Sequence, residues 1–334
     1  MRSGNYIPKG CKSVISSYRL LARHTAEDGE VRVDVIHIKL APGVTCSEAE
    51  EKTVGFLTKY MRDSGSGGVF AAITAARGQG WTSMFLESPS LCGIFIPDDI
   101  LDFIASQGIK NYLHKSCGVS FDTLDDLING SLGPSQEKMI SEHAEKMDNA
   151  LASLFFCDIA ASGGKIICSV CSKIAEIRLR LGRFLSDQKP RTAERFTSEF
   201  IENSLHAVDL CAVSIAVVKA ELRLKIPNED IKATNFITGS VLSEKLFDGK
   251  LFDLIISNPP HIRGEEISSI RNRLSDYLSS HRNADLYCYY AERAPKLLSQ
   301  NGCAVLLISN KWMTAEYGEG LREFFKDSPP DMIV

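Results

Sequence analysis

The stretch Phe252-Asp253-Leu254-Ile255-Ile256-Ser257-Asn258-Pro259-Pro260-His261 decides how this chain is read. Its first six residues are apolar except for Asp253 and Ser257 and lack the alternation of a half-exposed strand. Such a run reads as a strand covered on both faces, the kind found in parallel sheets. Two prolines follow the strand almost at once. Each fixes φ and removes an N–H donor, so the turn is stiff and presents acceptors, namely the Asn258 side chain and the local carbonyls. A stiff set of acceptors suits a neutral amino group that must give up delocalisation of its nitrogen lone pair in order to attack an electrophile.

Working outward, the pattern repeats on both sides. Upstream lie apolar runs at Leu154–Cys157, Leu205–Val208 and Phe236-Ile237; downstream lies Cys303–Ser309. Helical periodicity fills the gaps, through Met139, Ile140, His143, Met147 and Leu151, then Ile167, Val170, Ile174, Ile177 and Leu181, and later Tyr287–Leu298. Alternating buried strands and helices predict a doubly wound, Rossmann-like α/β sheet over residues 131–334, preceded by a smaller α+β region over 1–130. The boundary is drawn in 116–135, where Gly118, Asn129-Gly130-Ser131 and Gly133-Pro134-Ser135 have linker composition. Ligands of such sheets sit beyond the carboxyl ends of the strands, so the turns there are the candidate site.

Three further turns matter on that argument. The run Asp158-Ile159-Ala160-Ala161-Ser162-Gly163-Gly164 follows the first strand, and its small residues admit a ligand close to the backbone where a helix begins. Asp209, followed by Leu210, ends the second strand, where an acid can accept two hydrogen bonds from a ribose. Asp209 could equally cap the next helix. Ser240 follows the third strand in Gly239-Ser240-Val241-Leu242.

Composition sets the outer limits. The chain has 334 residues, 44% hydrophobic and 24% charged, which is ordinary globular usage and enough for two cores. The longest apolar stretch, Cys303–Ile308, is too short for a membrane span, and the N-terminus lacks an apolar signal region. A net charge of −4, from 38 basic and 42 acidic residues, offers no overall polycation for nucleic acid. The arginine-rich run Arg178, Arg180, Arg183, Lys189, Arg191 and Arg195 fits a DNA-phosphate patch and a solvated helix face about equally. The ten cysteines lie mostly in apolar runs, and the pair Cys168/Cys171 has no partners to complete a metal site, so reduced cytoplasmic thiols and no metal are expected.

The N-terminal region is less informative. Val31–Leu40 reads as a strand with a bulge where the alternation changes phase, and Ser47 with Glu50 opens a helix through Val54, Leu57, Tyr60 and Met61. Ser64–Gly68 reads as a turn, and Pro97-Asp98-Asp99 opens a second helix. Asp34 with His37-Ile38-Lys39 is the nearest approach to a magnesium nuclease and lacks both the spacing and the second acid.

On these residues the chain resembles a family. Phe252–Pro260 looks like the F-D-x-I-I-x-N-P-P-Y segment of S-adenosylmethionine-dependent N6-adenine DNA methyltransferases. The series Ala284-Asp285-Leu286-Tyr287, Glu292-Arg293-Ala294, Asn301-Gly302, Ser309-Asn310-Lys311-Trp312, Tyr317-Gly318 and Leu321-Arg322 is similar to the type IIG restriction–modification methylases. The resemblance runs from about residue 134 to the end and is strongest over 252–325. It implies methyl transfer from S-adenosylmethionine to the amino group of an adenine flipped out of double-stranded DNA. Asn258, Pro259, Pro260 and His261 would be catalytic. Asp158, Ala160, Ser162, Gly163, Gly164, Asp209, Leu210 and Ser240 would bind the cofactor.

Departures accompany the match. Ile159, Ala161 and Ser162 stand where the family has proline, cysteine and glycine; Ser240 replaces an acid, and His261 replaces a stacking tyrosine. The family's sheet also continues beyond Met332-Ile333-Val334 into a target-recognition domain, so the last strands and that domain are expected to lie outside this chain, with a second chain able to supply recognition. A non-catalytic scaffold and a protein glutamine methyltransferase are the alternative readings.

Overall fold

The computed structural model describes residues 7, 9–25, 32–44, most of 52–64, 68–74, 96, 98–162, 164–185, 201–210, single positions between 214 and 222, 235–243, 246, 247, 249–262, 267 and 271–334. They form two sheets. The N-terminal sheet has the order β1-β2-β3, with β1 (Ile15–Thr25) antiparallel to β2 (Arg32–Leu40) and β2 parallel to β3 (Gly68–Thr74). The expected bulge is real but belongs to the other strand. Leu20 pairs with Ile36 and Ala22 with Val35, leaving Leu21 of β1 as the extra residue. β2 itself alternates evenly, burying Asp34, Ile36, Ile38 and Leu40 on one face. Asp34 is what masked the pattern. It is a buried acid in an apolar row, and it accepts a hydrogen bond from the Tyr60 hydroxyl at 2.9 Å. Residues described between 52 and 64 are helical, as predicted, while Ser47 and Glu50 lie outside the described residues.

The second sheet is wholly parallel. It comprises β4 (Phe156–Asp158), β5 (Leu205–Asp209), β6 (Phe236–Thr238), β7 (Phe252–Ser257) and β8 (Leu298–Leu306), in the order β6-β5-β4-β7-β8. β7 has the predicted bounds. Strand order runs outward in one direction from β4 to β6 and in the other through β7 to β8. The reversal lies between β4 and β7, the place where a parallel sheet opens a crevice above its carboxyl edge.

Helices cover both faces of this sheet. Phe156, Leu205, Ala207, Leu254 and Ile256 face a layer made by α1 (Asp98–Cys117), α2 (Phe121–Asn129), α3 (Pro134–Ala152) and α4 (Lys165–Leu181). Cys157, Val208 and Ile255 face the opposite layer, led by Leu286, Tyr289 and Tyr290 of α5 (Leu286–Arg293). The other side of α5 packs Tyr287, Cys288 and Ala291 against Trp312 and against Leu321 of α6 (Glu319–Asp327). A helix so enclosed must satisfy its polar groups internally. Glu292 does so, accepting from the Leu278 and Ser279 N–H groups at 3.2 and 2.9 Å and from Lys296 Nζ at 2.9 Å.

Two sequence readings change here. Residues 116–135 are not a linker, because α2 occupies most of the stretch and shares the core through Leu124, Leu127 and Ile128. Gly118 (φ 79°) and Gly130 (φ 75°) stop α1 and α2 in the left-handed region, and Gly133 precedes the N-terminal Pro134 of α3. Helix punctuation and linker share this composition. Moreover α1, assigned to the N-terminal region, lies on β7: a Cβ on Gly108 would meet Ile256 Cδ1 at 2.7 Å. The layer around the second sheet therefore begins at residue 98 rather than 131.

Part of the arginine run is corrected, since neither the DNA-phosphate patch nor the solvated face describes Arg178 or Arg180, while Arg183 is exposed as a solvated face predicts. Arg178 reaches Asp148 of α3 with Nε at 2.6 Å and Nη2 at 3.2 Å, between side chains 14% and 7% exposed. Arg180 Nη1 donates to the Leu127 and Ile128 carbonyls at the end of α2, at 2.7 and 2.5 Å. Both clamp the helical layer. Lys189, Arg191 and Arg195 lie outside the described residues. Cys168 and Cys171 are buried on α4, and among the described residues no cluster of three or more His, Cys, Asp or Glu could hold a metal. Nor is any described helix long and apolar enough to cross a membrane.

Candidate active site

The carboxyl ends of β4, β5, β6 and β7 bring the predicted residues together. Asp158 closes β4 and is 1% exposed. Its Oδ1 accepts from the Ala160 N–H at 3.1 Å and from the Ser257 hydroxyl at 2.7 Å. Burial pushes this carboxyl up to about 7; the two hydrogen bonds hold it down, and Asp209 adds to the upward push.

The turn after β4 is built from backbone groups. Ala161 N–H donates to Val208 O at 2.9 Å, Gly164 N–H to Ala161 O at 2.8 Å, and Ser162 N–H to Asp209 Oδ2 at 3.0 Å. The chain passes through the left-handed region at Ser162 (φ 43°) and again at Gly164 (φ 74°). A Cβ at Gly164 would sit 3.2 Å from Val218 Cα, so glycine there serves both the φ angle and the close approach. Gly164 caps α4 without a side-chain hydrogen bond, leaving backbone N–H groups of a 17-residue helix directed at the turn. Gly163 lies outside the described residues.

Asp209 joins the next two turns. Its carbonyl accepts from Gly239 N–H at 2.8 Å, which places Ser240 beside the end of β5. Ser240 Oγ accepts from Leu242 N–H at 3.3 Å, closing its own turn. Leu210 is 41% exposed beyond β5. Tyr290, which the sequence reading missed, stands buried on α5 among these groups. Burial raises its hydroxyl pKa, and Asp209, Tyr277 and Asp158 push it further. Its place in the apolar run Leu286–Ala291 gave no sign of a polar role.

On the far side of the reversal, Asn258 is half-buried, Pro259 buried, Pro260 half-buried and His261 exposed. The turn is held at both ends. Ser257 O accepts from Leu307 N–H at 3.0 Å, and Ile262 O accepts from Leu286 N–H at the start of α5 at 2.8 Å. His261 rests its ring 5.2 Å from that of Tyr287, tilted by 40°. The Tyr287 hydroxyl lies 3.1 Å from that of Tyr317, which donates to Asp285 Oδ2 at 3.4 Å. Burial of part of its ring lowers the His261 pKa and Lys311 adds to that, while Asp285 opposes them.

An Asn-Pro-Pro turn facing a backbone-built turn across a strand reversal is the arrangement that family comparison then places. Residues 167–333 match the Eco57I restriction-modification methylase family, half of the chain. The chain belongs to that family. It is 32% identical over 79 residues to the type II methyltransferase M.BstVI of Geobacillus stearothermophilus, covering 23% of this chain and 14% of that protein. It is 25% identical over 144 residues to the release factor glutamine methyltransferase of Clostridium acetobutylicum, covering 41% and 44% of the two. Among solved structures it is similar to the type IIL restriction-modification enzyme MmeI in complex with DNA, at a TM-score of 0.45 and 13% identity over 57% of this chain and 29% of that one. The chain thus spans less than half the length of each of these proteins.

Proposed function

We propose that this chain carries the methyl-transfer centre of an adenine-specific DNA methyltransferase of a restriction–modification system, acting in the cytoplasm on double-stranded DNA. The observation that carries the reading is the Asn258-Pro259-Pro260 turn at the end of β7, facing the Asp158–Gly164 turn across the strand reversal, in a chain of the Eco57I methylase family. S-adenosylmethionine supplies the electrophilic methyl group when bound. The residues present suit it. Asp158, Ala160, Ser162 and Gly164 belong to a turn built largely from backbone groups, with Gly164 in the left-handed region at the start of α4, and Gly163 completes the proposed set from the sequence. Asp209, with Leu210 beside it, offers a carboxylate for hydroxyl groups, and Ser240 borders the same edge.

On the target side, the Asn258 side chain and the Pro259 carbonyl accept hydrogen bonds from the adenine amino group. Accepting from these N–H groups favours a lone pair localised on nitrogen, and gives the proton that the nitrogen sheds on methylation an acceptor on its way to solvent. Pro260 stiffens the turn, and His261 provides a π-face for the flipped base, backed by Tyr287. The chain's contribution is position and electrostatics, with no covalent intermediate on the protein. A second chain that contributes to target recognition is part of this reading.

Calorimetry tests the cofactor half. The wild-type chain should bind S-adenosylmethionine in the micromolar range, and Asp209→Ala should weaken binding about tenfold, the worth of a charge-assisted hydrogen bond. No heat with the wild type would favour a scaffold role.

A further inference from the structure

We propose that Ser257 is a positioning residue of this centre. Its hydroxyl ties the strand that carries Asn258 to the buried carboxylate beneath the facing turn, and so sets the spacing between the two halves of the site. The inference rests on the methyl-transfer reading for its consequence in catalysis, but the tether itself can be measured without it.

The backbone ladder between β4 and β7 is short. It pairs Phe156 with Leu254 and Cys157 with Ile255, and ends there. Both functional turns begin beyond that point. The connection past it is made by side chains, Ser257 Oγ donating to Asp158 Oδ1 at 2.7 Å. The same oxygen takes the Ala160 N–H, so one atom gathers a donor from each turn. Ser257 is fully buried at 0% exposure, where a hydroxyl is costly unless bonded. Its carbonyl is held from the other side by Leu307 N–H, and Asn258 is the next residue. A shift at Ser257 therefore passes to Asn258 across a single peptide.

The tether also governs charge. The Tyr290 hydroxyl of α5 and the Cys157 thiol face Asp158 in their protonated forms, while burial and the Asp209 carboxylate at the end of β5 disfavour its charge. Ser257 and Ala160 are the donors that oppose them. The folded-state pKa of Asp158 lies above its unfolded value. Its contribution to stability is therefore fully present in acid and is lost as pH rises toward and through about 7. Removing the Ser257 hydroxyl raises the folded pKa further, so the deficit of Ser257→Ala should grow with pH. A loss of packing alone would be the same at every pH.

The experiment uses the 334-residue chain. Wild type, Ser257→Ala, Asp158→Asn and the double variant are unfolded in urea at pH 5 and pH 8, and methyl transfer from S-adenosylmethionine to DNA is followed for wild type and Ser257→Ala. The expected result is a drop in midpoint for Ser257→Ala, markedly larger at pH 8 than at pH 5, with the pH difference absent on the Asp158→Asn background. In transfer, kcat should fall about tenfold or more with KM for DNA little changed, as for a misplaced reacting group. Equal destabilisation at both pH values, or an unchanged kcat, overturns the proposal. A wild type that neither binds S-adenosylmethionine nor transfers methyl overturns the functional reading instead, and the unfolding data then decide the tether alone.

Discussion

The turns after β4 and β7 face one another across the strand reversal, yet they are built on opposite plans. After β4 the work falls to backbone N–H groups, with Ala161, Ser162 and Gly164 all donating from the main chain. After β7 it falls to side-chain and carbonyl acceptors held stiff by Pro259 and Pro260. The difference accounts for the departures in the turn after β4, though not for Ser240 or His261. Backbone donors are available from almost any residue that can take the required φ and ψ, so Ile159, Ala161 and Ser162 can replace proline, cysteine and glycine. An acceptor of defined chemistry cannot be substituted so freely, and Asn258-Pro259-Pro260 stands unaltered.

The largest test of that contrast is Asn258→Ala. Transfer should fall by about 10²–10³-fold, as when a preorganised hydrogen-bonding group is removed, while the unfolding midpoint stays near wild type because Asn258 is only half-buried. On the other turn the damaging change is a glycine. Gly164→Ala, at φ 74° and 3.2 Å from Val218 Cα, should cost about 1–3 kcal/mol in urea unfolding and weaken cofactor binding with it. A destabilised Asn258→Ala or a silent Gly164→Ala would reverse the comparison.

Smaller effects sharpen it. Partial burial of its ring lowers the His261 pKa from the ordinary imidazole value, which favours the neutral ring at pH 7 and moves protonation toward more acid solution. Transfer should therefore show an acid limb in kcat/KM that His261→Tyr removes, with activity at neutral pH changed by about 2- to 10-fold through altered stacking area. An acid limb that survives His261→Tyr would assign it elsewhere. The smallest effect is expected at Ser162, a serine at φ 43°. Ser162→Gly should raise stability by about 1 kcal/mol at most and leave cofactor affinity intact, because the N–H to Asp209 remains. A loss of affinity would show that the serine side chain takes part.

Much of this centre could be read before any coordinates. The bounds of β7 follow from a largely apolar run ended by prolines, and Asp158, Asp209 and Asn258 are legible as candidates because strand ends are where such sheets bind. What escaped was long-range. Ser257 occupies a variable position of the motif, and only the neighbouring strand reveals its bond to Asp158. The signal available was a hydroxyl at the end of a strand that is otherwise apolar but for Asp253. Arg178 and Arg180 looked outward because charge density along a helix says nothing of Asp148 or the α2 carbonyls awaiting them. The stretch 116–135 was misread because glycines that stop helices and glycines in linkers are the same residue, and only their left-handed φ beside packed leucines tells them apart.

The central claim is that this chain's acceptor turn prepares an adenine amino group for methylation. It is tested most directly by incubating the wild-type chain and Asn258→Ala, with total cell extract and with double-stranded DNA, in S-adenosylmethionine labelled at the methyl group. The account predicts label in DNA, recovered as N6-methyladenine after hydrolysis and absent with Asn258→Ala. Label recovered on protein glutamine, or DNA label that persists undiminished in Asn258→Ala, would contradict it.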